Sequence, residues 1–241
     1  MLALSPGVTP KWSRRMLEVL SDAWLIARKD LAIEFRTRSA FLSAVVFALL
    51  AIVIFFFAWD ATALAAIDLA PGVLWVIFTF SGLLGMHRSF GVEQPDRAID
   101  GLIAAPIARE SIFLGKAAAS LVFVLAIQVI AIPAVGIFYN LPLAPVAGEL
   151  ALIAILAAIG LVAVGTLFSA MAVNTRLAEL LLPMLALPFF VPIVIPAAQA
   201  TAKVMSARPV GDAFAWLKLL VAFDIVFVVA CTLAYPFTLE E

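Results

Sequence analysis

The residues able to do chemistry are few. Asp224 stands inside an apolar run with Lys218 six positions earlier, on a different helical face, so the two form no i,i+4 ion pair. An ionisable group at that depth is expensive unless it is paired or hydrated. Asp224 is therefore either part of a polar pathway, with Gln199 at the end of another apolar run, or a group that pins its helix to a neighbour. A proton-coupled carrier would also place its carboxyl there. The single Cys231 builds neither a disulfide nor a Cys-based metal site within one copy. Gly115-Lys116 fails as the end of a phosphate-binding loop, because Glu110 stands where the first glycine belongs and Ala117 where the hydroxyl belongs. Neither H-E-x-x-H nor G-x-S-x-G occurs. No catalytic or metal-ligating residue is assigned, and energy must come from a partner or a gradient.

The most informative polar segment is 87–116. Pro95 suits the first turn of a helix, and Glu93 and Asp96 sit where negative charge complements the helix dipole. Ala98, Ile99, Leu102 and Ile103 form an apolar stripe, and Pro106 discourages continuation. A short amphipathic helix over Asp96 to Ala105 is expected. Gly101 costs it about 1 kcal/mol relative to alanine, which suggests a close backbone approach or a break. The helix either lies on the membrane or docks into a cytosolic partner. In the second case Glu93, Asp96, Ile99, Asp100, Gly101, Leu102 and Pro106 carry the contact.

These residues must be positioned by helices in lipid. With 66% hydrophobic and 13% charged residues and a mean hydropathy of +1.18, the chain has too little polar surface to cover a soluble globule of 241 residues. A net charge of -1 gives no reason to expect nucleic-acid binding. A span needs about 20 apolar residues, and six stretches qualify: about 39–59, 69–86, 117–138, 150–173, 180–200 and 217–235. The expected fold is an all-α integral membrane protein of six transmembrane helices. Residues 1–10 read as a disordered leader, 11–38 as an amphipathic interfacial helix, and 39–241 as the transmembrane domain with 87–116 as its coupling loop. No signal peptide is expected.

All basic residues except Lys203, Arg208 and Lys218 fall before span 1, between spans 2 and 3, or between spans 4 and 5. Basic residues near span ends stay on the cytoplasmic side, so both termini are expected to be cytoplasmic. In the N-terminal helix, Leu17, Leu20, Trp24, Ala27, Leu31 and Phe35 recur at helical spacing, as a surface anchor or as a lever touched by a partner. Span 5 carries Pro183, Pro188, Pro192 and Pro196, which implies a hinge, a broken span or a rigid kink.

The run Leu69-Ala-Pro-Gly-Val-Leu-Trp-Val, with Ser81-Gly-Leu-Leu-Gly-Met-His-Arg-Ser-Phe90 and Asp100-Gly-Leu-Ile-Ala-Ala-Pro-Ile-Ala-Arg-Glu-Ser-Ile-Phe-Leu-Gly-Lys116, resembles the heme exporter B (CcmB) permease family of cytochrome c maturation. Leu102 to Lys116 alone resembles the cytoplasmic loop of many ABC-2 type permeases, whereas the Ala-Pro-Gly-Val-Leu-Trp run points to this family. The similar pattern extends from about Ala23 to Glu241. The resemblance implies a permease of the cytoplasmic membrane that pairs with a separate ATPase, CcmA. It would work with CcmC and CcmD to release the heme-loaded chaperone CcmE, with a homodimer as a further option. It also implies that Asp96 to Ala105 is the coupling helix, that heme is substrate rather than a bound cofactor, and that ATP acts through the partner. His87, at the cytoplasmic end of span 2, is then on the wrong face to ligate exported heme and takes an interfacial role. An ABC-2 permease for a lipid, polysaccharide or drug, a passive scaffold, and a proton-coupled carrier using Asp224 are the alternatives.

Overall fold

A chain inside hydrocarbon finds no water for its backbone, so each apolar stretch must close its own hydrogen bonds as a helix. The computed structural model describes residues 11–91, 107–173, 178–206 and 210–238, and among them the elements are helical. Helix α1 spans Lys11–Thr37, α2 Ser39–Ala58, α3 Ala66–Gly91 and α4 Arg109–Phe138. After a 3-10 turn at Ala144–Val146 come α5, Ala147–Val173, α6, Ala178–Met205, and α7, Val210–Thr238. Among the described residues six helices, α2 to α7, are long and apolar enough to cross a membrane.

Several helices outrun the apolar stretches that announce them. Helix α4 begins at Arg109 rather than near 117, and α7 at Val210 rather than near 217. The apolar run marks the hydrocarbon crossing, while the helix continues into the interface as long as its polar ends can be solvated. Helix α6 stays helical through all four of its prolines. Lys218 is exposed, with its ammonium 4.6 Å from the centroid of Phe214, one turn nearer the helix start.

Helices α3 and α5 form the centre. In their most apolar windows 72% and 67% of residues are buried, against 22% in α2 and 17% in α7. Helix α5 packs on α3, α4, α6 and α7, and α3 on α2, α4, α5 and α6. Small residues set these approaches, as expected where lipid supplies no hydrophobic contrast. Ala40, Ala44, Ala48 and Ile52 make a buried stripe on α2. A Cβ on Gly85 would overlap the Phe123 ring, and one on Gly165 would overlap the Met86 thioether.

The α1–α2 junction is a bend rather than a continuous helix. Arg38 takes φ 55°, in the left-handed region, and Glu34 turns back so that its carboxylate accepts the Phe41 amide at 2.8 Å, capping α2. Helix α1 packs along α4 and barely touches α2. Ala23, Ile26 and Ala27 are buried in that contact, while Leu17, Leu20, Trp24 and Phe35 are exposed. The stripe expected as one face is thus divided: Ala27 faces protein, and the large side chains point away from it.

Candidate functional site

Three places concentrate polar groups that an apolar bundle would otherwise exclude. The first joins α1, α4 and α7. Gly115 lets α1 approach so closely that a Cβ would lie 2.7 Å from the Ala23 carbonyl oxygen and 2.7 Å from Ile26 Cβ. One residue on, Lys116 is 1% exposed, and its Nζ lies 3.4 Å from Asp30 Oδ2. The other Asp30 oxygen receives Lys29 Nζ at 3.1 Å. At the start of α4, Arg109 donates to the Pro236 carbonyl of α7 at 3.1 Å. A buried ammonium is tolerated only with its counter-charge beside it.

The second place is the middle of the spans. Asp224 is the central residue of α7 and Gly160 the central residue of α5. A Cβ on Gly160 would run into Asp224 Oδ1 and would lie 3.0 Å from Ile193 Cδ1 of α6. Three helices therefore meet around one carboxyl, 6% exposed, and neither of its oxygens has a hydrogen-bond partner among the described residues. Gln128, Ser81, Thr166 and Ser169 are buried in the same condition. Such groups are normally satisfied by a protein partner or an ordered water.

The third place is the opposite face from α1. Trp75 donates its indole N–H to Thr201 Oγ1 at 3.0 Å, a buried bond that ties α3 to the end of the proline-rich α6. Phe56, Trp59, Phe138 and Tyr139 cluster in space at the ends of α2 and α4, as interfacial aromatics do. In the α2–α3 turn, the Thr62 hydroxyl and then its amide, at 2.7 and 2.9 Å, hold the Asp60 carboxyl below its usual range.

Glu93, Asp96, Ile99, Asp100, Gly101, Leu102 and Pro106 lie outside the described residues. Of the two expected polar-pathway residues, Asp224 is buried at the centre, whereas Gln199 is exposed near the end of α6. Gln199 is six residues past Ile193, which packs at the level of Asp224, so at about 1.5 Å per residue it stands roughly 9 Å nearer the surface. The structure brings out Lys116, Asp30, Gly115, Gly160 and the Trp75–Thr201 pair, none assigned from sequence. Lys116 was legible only as a failed phosphate loop, and Gly160 as one more small residue in an apolar run.

The fold and interior define a polytopic helical membrane protein. Among its described residues there is no group of three or more His, Cys, Asp or Glu placed to hold a metal. The chain matches the family described as CcmB protein over residues 21–241. Among curated relatives, heme exporter protein B of Rhodobacter capsulatus is 34% identical over 131 residues, 54% of this chain and 60% of that protein. The protein of the same name from Paracoccus denitrificans is 32% identical over 135 residues, 56% of this chain and 62% of the relative. The Bradyrhizobium diazoefficiens protein is 26% identical over 180 residues, 75% of this chain and 81% of the relative. The matched segments span less than two thirds of the first two relatives. The chain belongs to the CcmB protein family.

Proposed function

We propose that this chain is the membrane-spanning permease subunit of a heme exporter acting in cytochrome c maturation, driven by a separate cytosolic ATPase. The observation that carries this reading is the family match over residues 21–241, joined by relatives named heme exporter protein B. The chain would lie in the cytoplasmic membrane with both termini in the cytoplasm, beside CcmC-like and CcmD-like subunits and a CcmE-like chaperone. ATP-driven closure of the ATPase pushes the Asp96 to Ala105 helix through Glu93, Asp96, Ile99, Asp100, Gly101, Leu102 and Pro106, and rocks α3 and α4 against α6. This chain contributes motion rather than bond chemistry. Asp224 and Gln199 offer polar stations along the spans.

The test is co-purification of the wild type and an Ile99→Asp, Leu102→Asp double variant with the cytosolic ATPase in mild detergent. Retention by the wild type and loss by a folded variant is the expected result; no binding by either form removes the ABC reading. A proton-coupled carrier is the second reading, favoured by the mid-span carboxyl of Asp224, which has no hydrogen-bond partner among the described residues. It predicts that Asp224→Asn abolishes transport while leaving ATPase binding intact.

A further inference from the structure

We infer that Lys116 and Asp30 are positioning residues that make α1 move with α4, so that α1 is a transmission element rather than a passive surface anchor. This rests on the permease reading above.

The buried ion pair is the first ground. Lys116 is 1% exposed and lies 3.4 Å from Asp30, itself 7% exposed, on the α1 face that also buries Ala23, Ile26 and Ala27. Separating these helices would draw the buried Lys116 ammonium away from Asp30, which would keep Lys29 on its other oxygen, and parting a buried ion pair is disfavoured. Gly115 adds a backbone-to-backbone contact at the same level, close enough that no side chain fits between the two helices. Helices joined by charge and by shape at one point translate together.

The second ground is which neighbour α1 packs on. It precedes α2 directly, yet its packing is with α4, and the junction with α2 bends at Arg38 in the left-handed region. The bend ends α1 as a helix separate from α2, joined to it by the Glu34–Phe41 bond, while the ion pair fixes α1 to α4. Leu17, Leu20, Trp24 and Phe35 remain exposed to grip the membrane surface. A displacement arriving at the start of α4 is thus passed to a helix lying in the interface and bent away from α2 at Arg38.

The test uses the full chain with its ATPase, comparing Lys116→Asp, Asp30→Lys, the combined charge swap, and the apolar pair Lys116→Met with Asp30→Leu. Membrane abundance, bound ATPase, ATP hydrolysis and heme delivered to cytochrome c are measured together. Single reversals should keep the ATPase but deliver about tenfold less heme per ATP, and the swap should restore most of it. The apolar pair should fold and hydrolyse ATP while staying uncoupled. Normal delivery per ATP in the folded singles or in the apolar pair overturns the inference, as does failure of the swap to restore delivery.

A second arm needs no ATPase. With Cys231→Ser as background, spin labels at Ser21 of α1, Ala118 of α4 and Leu50 of α2 report the two inter-helix distances. The α1–α4 distribution should be narrow in the wild type and broaden in Lys116→Met, with α1–α2 as the reference. A narrow α1–α4 distribution in Lys116→Met refutes the inference even if the permease reading stands, and absence of ATPase binding refutes only that reading.

Discussion

Replacing Gly160 with alanine puts one methyl group where Asp224 Oδ1 now lies, at a separation no real Cβ contact adopts, and 3.0 Å from Ile193 Cδ1. Asp224 is 6% exposed and Ile193 fully buried, so the carboxyl and the methyl can turn aside only by pressing on their packed neighbours. Overpacking of this kind costs about 1–3 kcal/mol, and so close an overlap belongs at the upper end, about 3 kcal/mol. Alanine is the better helix former by about 1 kcal/mol, leaving a net loss of about 2 kcal/mol. In an Asp224→Ala background the obstruction is gone and only the Ile193 contact remains, which a shift of a few tenths of an ångström relieves. Gly160→Ala should then stabilise by about 1 kcal/mol through helix propensity, a coupling of about 3 kcal/mol between the two positions. Asp224→Asn keeps the shape and should keep the penalty. Reversible unfolding in mixed micelles, followed by fluorescence of the five tryptophans, measures each corner of the cycle. The same penalty in the Asp224→Ala and wild-type backgrounds would refute this packing of α5 against α7.

Thr201→Val leaves the buried Trp75 N–H without an acceptor and should cost about 1–3 kcal/mol, falling to nearly nothing in a Trp75→Phe background; the same unfolding assay decides it. Glu34→Ala removes the acceptor for the Phe41 amide at the start of α2 and should cost about 1 kcal/mol, whereas Glu34→Gln should retain most of the stability. Asp60 is held below its ordinary carboxyl value of 3.8, so its contribution to the α2–α3 turn is present above that value and is lost as pH falls through the lower folded one. Amide exchange in residues 60–65 should accelerate over that acid range, relative to the intrinsic rate, in the wild type, and should lose this dependence in Asp60→Asn.

The six spans were legible in the sequence for a simple reason. An apolar stretch as long as the hydrocarbon is thick has only the helix as a way to satisfy its backbone, so composition alone sets the number and type of elements. The Ala-Pro-Gly-Val-Leu-Trp run likewise pointed to the family before any geometry was known. The helix faces were not legible. Water writes a polar face onto a soluble helix, but lipid and protein interior are equally apolar, and Ala44 of α2, which is fully buried, differs little in polarity from Val46, which is 62% exposed. Even in α1, where polar residues do mark faces, the periodicity grouped Ala27 with Leu20 and Trp24, and only packing on α4 separated them.

Nor could spacing reveal that Lys116 meets Asp30, that Gly160 makes room for Asp224, or that Trp75 finds Thr201, because each pair joins helices far apart in the chain. The sequence by itself determined that this chain enters the membrane as helices and roughly where each one crosses. The tertiary structure decided which sides of them meet, since in lipid that choice depends on the fit of small residues and the pairing of a few buried polar groups rather than on hydrophobicity.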